Sequence, residues 1–188
     1  MLHRIARFLL ALQLTLFATF SHSEPDAWAM WKQAGVHAIM RHATAPGFGD
    51  PDNFTIGKCN TQRNLNEAGR QEARALGKTI REQGITLSAI FSSQWCRCLH
   101  TAEQLKLGKV QELPALNSFF QGRGSSSAQT DALKKHIATL GPTDKVLYVT
   151  HQVNTTGLTG VYPDSGQIVL FRMNQNGDIE VVGTINSD

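Results

Sequence analysis

The sequence predicts an α/β fold, a three-layer α/β/α sandwich with a mostly parallel central sheet. Short apolar runs alternate with amphipathic segments from residue 34 onward, which is the pattern of strands alternating with helices. A length of 188 residues with 41% hydrophobic and 18% charged residues fits one domain with a substantial core. Three cysteines exclude a disulfide-dense miniprotein, and a net charge of +3 gives no support for a nucleic-acid binder.

The first 23 residues differ from the rest of the chain and predict a cleaved secretory signal peptide. Arg4 and Arg7 precede an apolar stretch at residues 8–20, and small residues stand at Ser21 and Ser23. The stretch is shorter than the ~20 residues that cross a membrane, although an uncleaved anchor stays open as the alternative. We therefore expect residues 24–188 to form a single periplasmic or secreted domain without a stable membrane anchor.

The first half of the domain predicts two strands and two helices. The apolar run at residues 36–40 predicts a buried strand, followed by a loop rich in glycine, proline and aspartate. Asn66 as an N-cap and Gly84 as a stop predict a helix between them. Residues 89–91 predict the second strand and residues 95–106 the second helix.

The second half predicts four further strands and one helix. Strands are expected at residues 110–113, 146–149, 168–172 and 180–184, and the last two flank the hairpin signal Asn176-Gly177. The Gly/Ser-rich residues 122–127 predict a flexible loop, and residues 131–140 predict a helix. We expect residues 122–127 and 157–166 to shape a substrate entrance.

Candidate catalytic residues follow three of the predicted strands. Arg41 and His42 end the first strand, Arg97 comes shortly after the second, and His151 follows the strand at 146–149. Open α/β sheets bind ligands beyond the carboxyl ends of their strands, so these side chains are expected to meet. Imidazole can carry a phosphoryl group and arginine binds phosphate oxygens, which together indicate phosphoryl transfer.

The three cysteines predict one disulfide and one free thiol in an exported protein. Cys59 is expected to pair with Cys96 or with Cys98, because Cys96 and Cys98 are too close in sequence to bridge well. A metal site at the C-x-C pair is disfavoured because no further ligands stand nearby. The sequence thus predicts neither a metal nor a cofactor.

Four segments resemble the histidine phosphatase (phosphoglycerate mutase-like) superfamily in the family's order. They are IMRHA at 39–43, LNEAGRQEA at 65–73, FSSQWCRCLHTA at 91–102 and VTH at 149–151. The signal peptide together with CNTQRNL at 59–65 further resembles an exported bacterial subgroup. The resemblance implies a phosphoglycerate mutase-like sandwich and a hydrolase that works without metal.

The resemblance also implies roles for individual residues. His42 would be the nucleophile that becomes phosphorylated, while Arg41, Arg97 and His151 would hold the transferring phosphoryl group. Weaker expectations of contact with phosphate or substrate fall on Arg63, Thr44 and Gln152.

Two departures from the family pattern affect the expected chemistry. Ala43 replaces the glycine that normally follows the first histidine. Relatives also carry a carboxylate that protonates the leaving oxygen, where this chain has Gln152 in one position and Asn117 in the other. The remaining candidates for this acid are Asp50 and Asp52, in the loop after His42, and Glu112, whose place inside the predicted strand favours a structural role.

The expected function is hydrolysis of a phosphomonoester through a phosphohistidine at His42. The expected partner is a small phosphorylated substrate, and analogy with exported relatives suggests a lipopolysaccharide-core sugar phosphate. Without a dedicated acid, substrates such as phosphohistidine and aryl phosphates suit the site better than sugar alkoxides. A phosphohistidine phosphatase and a non-catalytic phosphate-binding domain stay open as alternatives.

Overall fold

A computed structural model describes residues 26–187, so the predicted signal peptide lies outside the described residues. The strands are β1 (His37–Arg41), β2 (Ala89–Ser92), β3 (Val110–Glu112), β4 (Val146–Thr150), β5 (Ile168–Met173) and β6 (Ile179–Ile185). The helices are α1 (Ala27–Lys32), α2 (Glu67–Glu82), α3 (Cys96–Leu105), α4 (Ser126–Ile137) and α5 (Gln152–Thr159). Within this part of the chain, no helix has the length and apolar character needed to span a membrane.

The six strands form one sheet in the order β3-β2-β4-β1-β5-β6. The first four strands of that order are mutually parallel, whereas β5 and β6 are antiparallel to their neighbours. The prediction of a mostly parallel sheet is confirmed. Arg41 pairs with Thr150, so the residues that follow β1 and β4 start side by side at one edge of the sheet.

The sheet is covered on both faces, which confirms the three-layer architecture. Ala38 and Met40 point into a core that includes side chains of α1, α2 and α3. Ile39 points to the opposite face, where the core includes side chains of α4 and α5. This alternation follows from the two-residue period of a strand, which sends successive side chains to opposite faces.

Helix α2 packs unusually close to the segment that follows β1. Asn66 caps the helix by accepting a hydrogen bond from the Gly69 amide at 2.9 Å. A Cβ atom at Gly69 would lie 2.0 Å from the carbonyl oxygen of Thr44, which leaves room for glycine only. This contact fixes the backbone two residues beyond His42.

The structure differs from the sequence prediction at three helices. Helix α4 begins at Ser126, five residues before the predicted start, because Ser125 caps it by accepting from the Ala128 amide. The predicted flexible loop therefore ends earlier than residue 127. Helices α1 and α5 were not predicted: α1 is only six residues long, and α5 reads QVNTTGLT, which lacks an apolar period.

Candidate active site

A pocket of about 180 Å³ lies beyond the carboxyl ends of β1 and β4. It is lined by Arg41, His42, Gly47, Phe48, Gly49, Arg63, Arg97, Ser118, Phe120, His151, Gln152, Val153 and Tyr162. Six of the seven residues that the sequence analysis singled out thus share one pocket. The lining includes neither aspartate nor glutamate.

His42 presents an unprotonated nitrogen beside Arg97. Its Nδ1 lies 2.8 Å from the carbonyl oxygen of Ala43, and because a carbonyl only accepts, Nδ1 carries the proton. The Nε2 atom then accepts a hydrogen bond from Arg97 Nε at 3.1 Å. Burial, reinforced by the charge of Arg97, holds the pKa of His42 well below its usual value, so the ring is a neutral nucleophile.

Ala43 fits the position where the family pattern has glycine. It does not have a positive φ, it is buried, and its amide donates to Thr101 Oγ1 at 3.0 Å. Its carbonyl orients His42, as described above. The methyl group therefore interferes with neither the backbone nor the imidazole.

Arg97 joins the two histidines and a carboxylate that the sequence analysis had considered as an acid. Its Nη1 and Nη2 atoms donate to the two oxygens of Asp50 at 2.7 and 3.2 Å. Nη2 also lies 3.3 Å from Nδ1 of His151. The Arg97 and Asp50 side chains are each only 5% exposed, so this is a buried, bidentate ion pair.

Asp50 is held as a carboxylate and does not line the pocket. Burial by itself would raise its pKa, but hydrogen bonds and charge from Arg97, with Trp95 Nε1 at 3.0 Å, bring the pKa below its usual value. The Arg63 amide also donates to it at 3.1 Å. Asp50 therefore acts as the positioning residue for Arg97 in this geometry.

His151 is oriented by a chain of polar groups behind the pocket. Because Arg97 donates to its Nδ1, its Nε2 carries the proton and donates to Ser93 Oγ at 2.9 Å. Ser93 in turn donates to Asn117 Oδ1 at 3.2 Å. Burial, followed by the charge of Arg97, keeps the pKa of His151 well below its usual value.

Asn117 belongs to this supporting network and not to the pocket wall. Its Oδ1 also accepts from the Gln94 amide at 2.9 Å, and its Nδ2 donates to Gln94 Oε1 at 2.8 Å. The position where relatives carry an acid is thus occupied by an amide that satisfies other protein groups. The sequence analysis named Asn117, in the loop beyond the third predicted strand, but gave no role to Ser93, which stands at the end of the second.

Arg41 and Arg63 line the pocket while bonding backbone carbonyls at its edge. Arg41 Nη1 donates to the carbonyl of Pro163 at 3.2 Å, and its Nε atom is buried without a partner. Arg63 donates from Nε to the carbonyl of Gly49 at 2.8 Å and from Nη1 to that of Ala45. Both guanidinium groups keep donors for an anion in the pocket.

The other predicted contacts divide between wall and surroundings. Gln152 lines the pocket at the start of α5, and its amide donates to Thr156 Oγ1 at 2.9 Å. Thr44 does not line the pocket: its amide donates to Glu72 Oε2 at 2.9 Å, and α2 covers its carbonyl. We therefore drop Thr44 as a substrate contact. Glu112 and Asp52 are exposed and stand outside the walls.

The loops around the entrance are only partly those predicted. Ser118 and Phe120 line the pocket, whereas residues 122–127 do not. Of residues 157–166, Tyr162 contributes to the lining and residues 157–159 belong to α5. In the β3–α4 connection, the entrance is therefore formed by residues that precede the predicted segment 122–127 in the sequence.

The cysteines resolve the pairing that the sequence left open. Cys59 and Cys96 form a disulfide, and Cys98 is a free, buried thiol. Burial raises the pKa of Cys98 to about 12, so it stays protonated. Among residues 26–187, no cluster of three or more histidine, cysteine or carboxylate side chains could hold a metal ion.

Taken together, the pocket combines a neutral imidazole with guanidinium donors in a site without carboxylates. Gln152 and Val153 add the first turn of α5, where the helix dipole favours an anion. Such a site can bind a phosphate dianion and present Nε2 of His42 to it.

Solved structures of known proteins share this fold. The protein histidine phosphatase SixA complexed with tungstate is 18% identical, with 81% of this chain and 97% of that chain covered and a TM-score of 0.60. A phosphoserine phosphatase variant from Entamoeba histolytica in complex with phosphoserine is 14% identical, covering 81% and 98%, with a TM-score of 0.60. YhfR from Bacillus stearothermophilus is 19% identical, covering 81% and 96%, with a TM-score of 0.59. At these identities the likeness shows the fold alone.

Sequence comparison supplies the family itself. No curated protein matches the chain. The sequence profile of the histidine phosphatase superfamily (branch 1) matches residues 38–136, more than half of the chain, and spans the segments that carry His42 and Arg97. The chain belongs to the histidine phosphatase superfamily, branch 1.

Proposed function

We propose that the protein is a phosphatase that hydrolyses a phosphomonoester through a phosphohistidine on His42. The observation that carries the proposal is the position of His42 Nε2, which is unprotonated and faces a pocket rich in guanidinium donors. A domain that only binds phosphate would need the arginines but not a nucleophile. Because the site has both the arginines and the nucleophile, it fits catalysis better than phosphate binding alone.

The proposed reaction has two displacements at phosphorus. Nε2 of His42 attacks phosphorus, the bond from phosphorus to the leaving oxygen breaks, and this oxygen departs with the electron pair as an alkoxide or phenolate. Arg41, Arg97 and the neighbouring hydrogen-bond donors of the pocket wall offset the negative charge on the phosphoryl oxygens. Water then attacks phosphorus, the P–N bond breaks, one water proton stays on the product phosphate, and the other neutralises the alkoxide.

The substrate class follows from the pocket wall. Because no carboxylate lines the pocket, the leaving group must depart with little help from an acid. Aryl esters and phosphohistidine meet this condition, and a sugar alkoxide meets it less well. The absent wall carboxylate is the specific observation that favours phosphohistidine phosphatase as the second candidate function, and SixA shares the fold.

Export remains part of the proposal, supported by the N-terminal sequence and by the Cys59–Cys96 disulfide. Disulfides persist in oxidising compartments such as the periplasm, which agrees with a secreted or periplasmic location. A lipopolysaccharide-core sugar phosphate is the substrate that an exported relative would suggest. A sugar phosphate is therefore one of the two substrates to be assayed.

Steady-state assays on an aryl phosphate and on a sugar phosphate, with and without a chelator, test the proposal. We expect turnover of the aryl ester that a chelator does not change, and its loss by at least about a thousandfold in His42→Ala. His136→Ala, a histidine of α4 outside the pocket, should keep turnover. Intact mass after rapid quench should show one phosphate adduct on the wild type only.

Three results would count against parts of the proposal. Phosphate binding without turnover of either ester would favour the binding domain. Inhibition by the chelator would overturn metal independence. Comparable rates on both esters would mean that a group outside the pocket wall donates a proton.

A further inference from the structure

Three exposed aromatic side chains stand at one pocket. Phe48, Phe120 and Tyr162 are 83%, 37% and 72% exposed, and all three line the pocket that holds His42. Within residues 26–187, Ile56 is the other large hydrophobic side chain with comparable exposure. Exposed apolar surface concentrated at one site marks a ligand-binding surface. We call Phe48, Phe120 and Tyr162 the aromatic rim.

Phe48 is held in its exposed position by the backbone around it. It lies between Gly47 and Gly49, whose φ angles of +92° and +66° favour glycine. Arg63 donates to carbonyls on both sides of Phe48, those of Ala45 and Gly49. The Phe48 ring packs edge-to-face on Phe120, with ring centroids 5.2 Å apart.

Tyr162 is held in a similar way from the other segment of the rim. The carbonyl of Val161 accepts from Thr156 Oγ1 at 2.9 Å, and the carbonyl of Pro163 accepts from Arg41 at 3.2 Å. Two of the three arginines that line the pocket thus fix the backbone, Arg63 beside Phe48 and Arg41 beside Tyr162. The position of the rim is therefore fixed relative to the pocket that holds His42.

We propose that the aromatic rim is a subsite for the leaving group and that this group is a flat aromatic ring. This inference rests on the proposed function and adds its substrate class. Phe48 and Phe120 offer apolar faces without hydrogen-bonding groups, so these two rings give the hydroxyls of a sugar no polar partner. An aryl ring stacks on these faces, and its phenolic oxygen leaves without an acid, as the pocket wall requires.

Phosphonates test the subsite without turnover, because their C–P bond is not hydrolysed. By calorimetry, we expect phenylphosphonate to bind about tenfold more tightly than methylphosphonate, in line with stacking plus ring burial. Phe48→Ala and Tyr162→Ala should each remove most of this preference while changing methylphosphonate affinity less than about twofold. Ile56→Ala, the exposed apolar residue away from the pocket, should retain the full preference.

Equal affinity for the two phosphonates, or rim variants that weaken both alike, would overturn the subsite even if aryl phosphate is turned over. If a sugar phosphate binds more tightly than phenylphosphonate and the rim variants weaken its binding, the leaving group is a sugar and the proposed aromatic ring is wrong. Failure of the proposed function looks different: acetyl phosphate, whose small leaving group avoids the rim, would not be hydrolysed. The phosphonate preference would still stand in that case and support a subsite that binds an aromatic ring, but not its role for a leaving group.

Discussion

Asp50 shows how one buried residue organises the site without touching the reaction. Its two oxygens accept from Arg97, from the Trp95 indole and from the Arg63 amide. Each of these partners either lines the pocket or follows a strand that opens onto it. A single carboxylate therefore sets the direction of Arg97 and balances part of the positive charge that gathers around His42.

Asp50→Asn is expected to lower stability and catalysis together. The amide removes the charge that compensates buried Arg97, which costs about 3 kcal/mol of the free energy of unfolding. Catalytic efficiency should fall at least about tenfold because Arg97 loses its bidentate partner. Urea unfolding and aryl phosphate turnover measure the two effects.

Asp52→Asn is the matched control, since Asp52 is exposed two residues further along the same loop. It should change the free energy of unfolding by less than about 0.5 kcal/mol. Equal behaviour of the two variants would show that Asp50 does not position Arg97.

At the scale of elements, the disulfide ties the long β1–α2 connection to the start of α3. Cys96 precedes Arg97, and Cys59 lies in the connection that also carries Asp50 and Arg63. Gln62 adds a second link by accepting from the Cys96 amide at 2.9 Å. The disulfide thus links the two segments of the chain that carry Asp50 and Arg97.

Reduction of this disulfide is expected to destabilise the protein and slow the reaction. The bond closes a separation of 37 residues, for which loop-closure entropy gives about 3–4 kcal/mol. A reductant should lower the melting temperature and aryl phosphate turnover of the wild type to the levels of Cys59→Ser/Cys96→Ser. That double variant should not respond to the reductant, and a wild type that is equally insensitive would contradict the prediction.

The elements that sequence reasoning found are those with strong local signals. Residues 146–149 of β4 are a continuous apolar run, and α2 has a capping asparagine and an apolar face that faces the core. Helix α5 has neither, and its position depends on packing against α4 and the sheet. The meeting of His42, Arg97 and His151 was predictable from strand ends. Of the rim, only Tyr162 lies in a segment expected at the entrance, residues 157–166. Its aromatic residues come from three irregular segments whose meeting depends on tertiary structure.

At the scale of the whole molecule, three buried histidines are kept neutral. Burial is the largest cause that lowers the pKa of His37, to about 4, and of His42 and His151. His37 lies away from the pocket, where its Nδ1 accepts from the Val146 amide at 3.3 Å. In the unfolded chain all three would titrate near 6.5.

Stability is therefore expected to fall as the pH drops below about 6.5. The unfolded chain then binds protons that the folded chain excludes, and the effect of His37 continues to about pH 4. From these pKa values His37 alone contributes about 2 kcal/mol of lost stability at about pH 5 relative to pH 7. Urea unfolding at both pH values measures the loss, and His37→Gln should reduce it by that amount. An unchanged loss would contradict the buried, neutral state of His37.

The pairing of β1 with β4 also determines the stage of folding at which bound phosphate can change the stability of the protein. Arg41 pairs with Thr150, 109 positions later in the sequence, and Arg97 lies at the start of α3, which follows β2, the neighbour of β4 on the side away from β1. A partly folded chain thus lacks the binding site, because contacts so distant in sequence form late. Inorganic phosphate in the surroundings would then slow unfolding of the finished protein by mass action, yet leave its rate of folding unchanged.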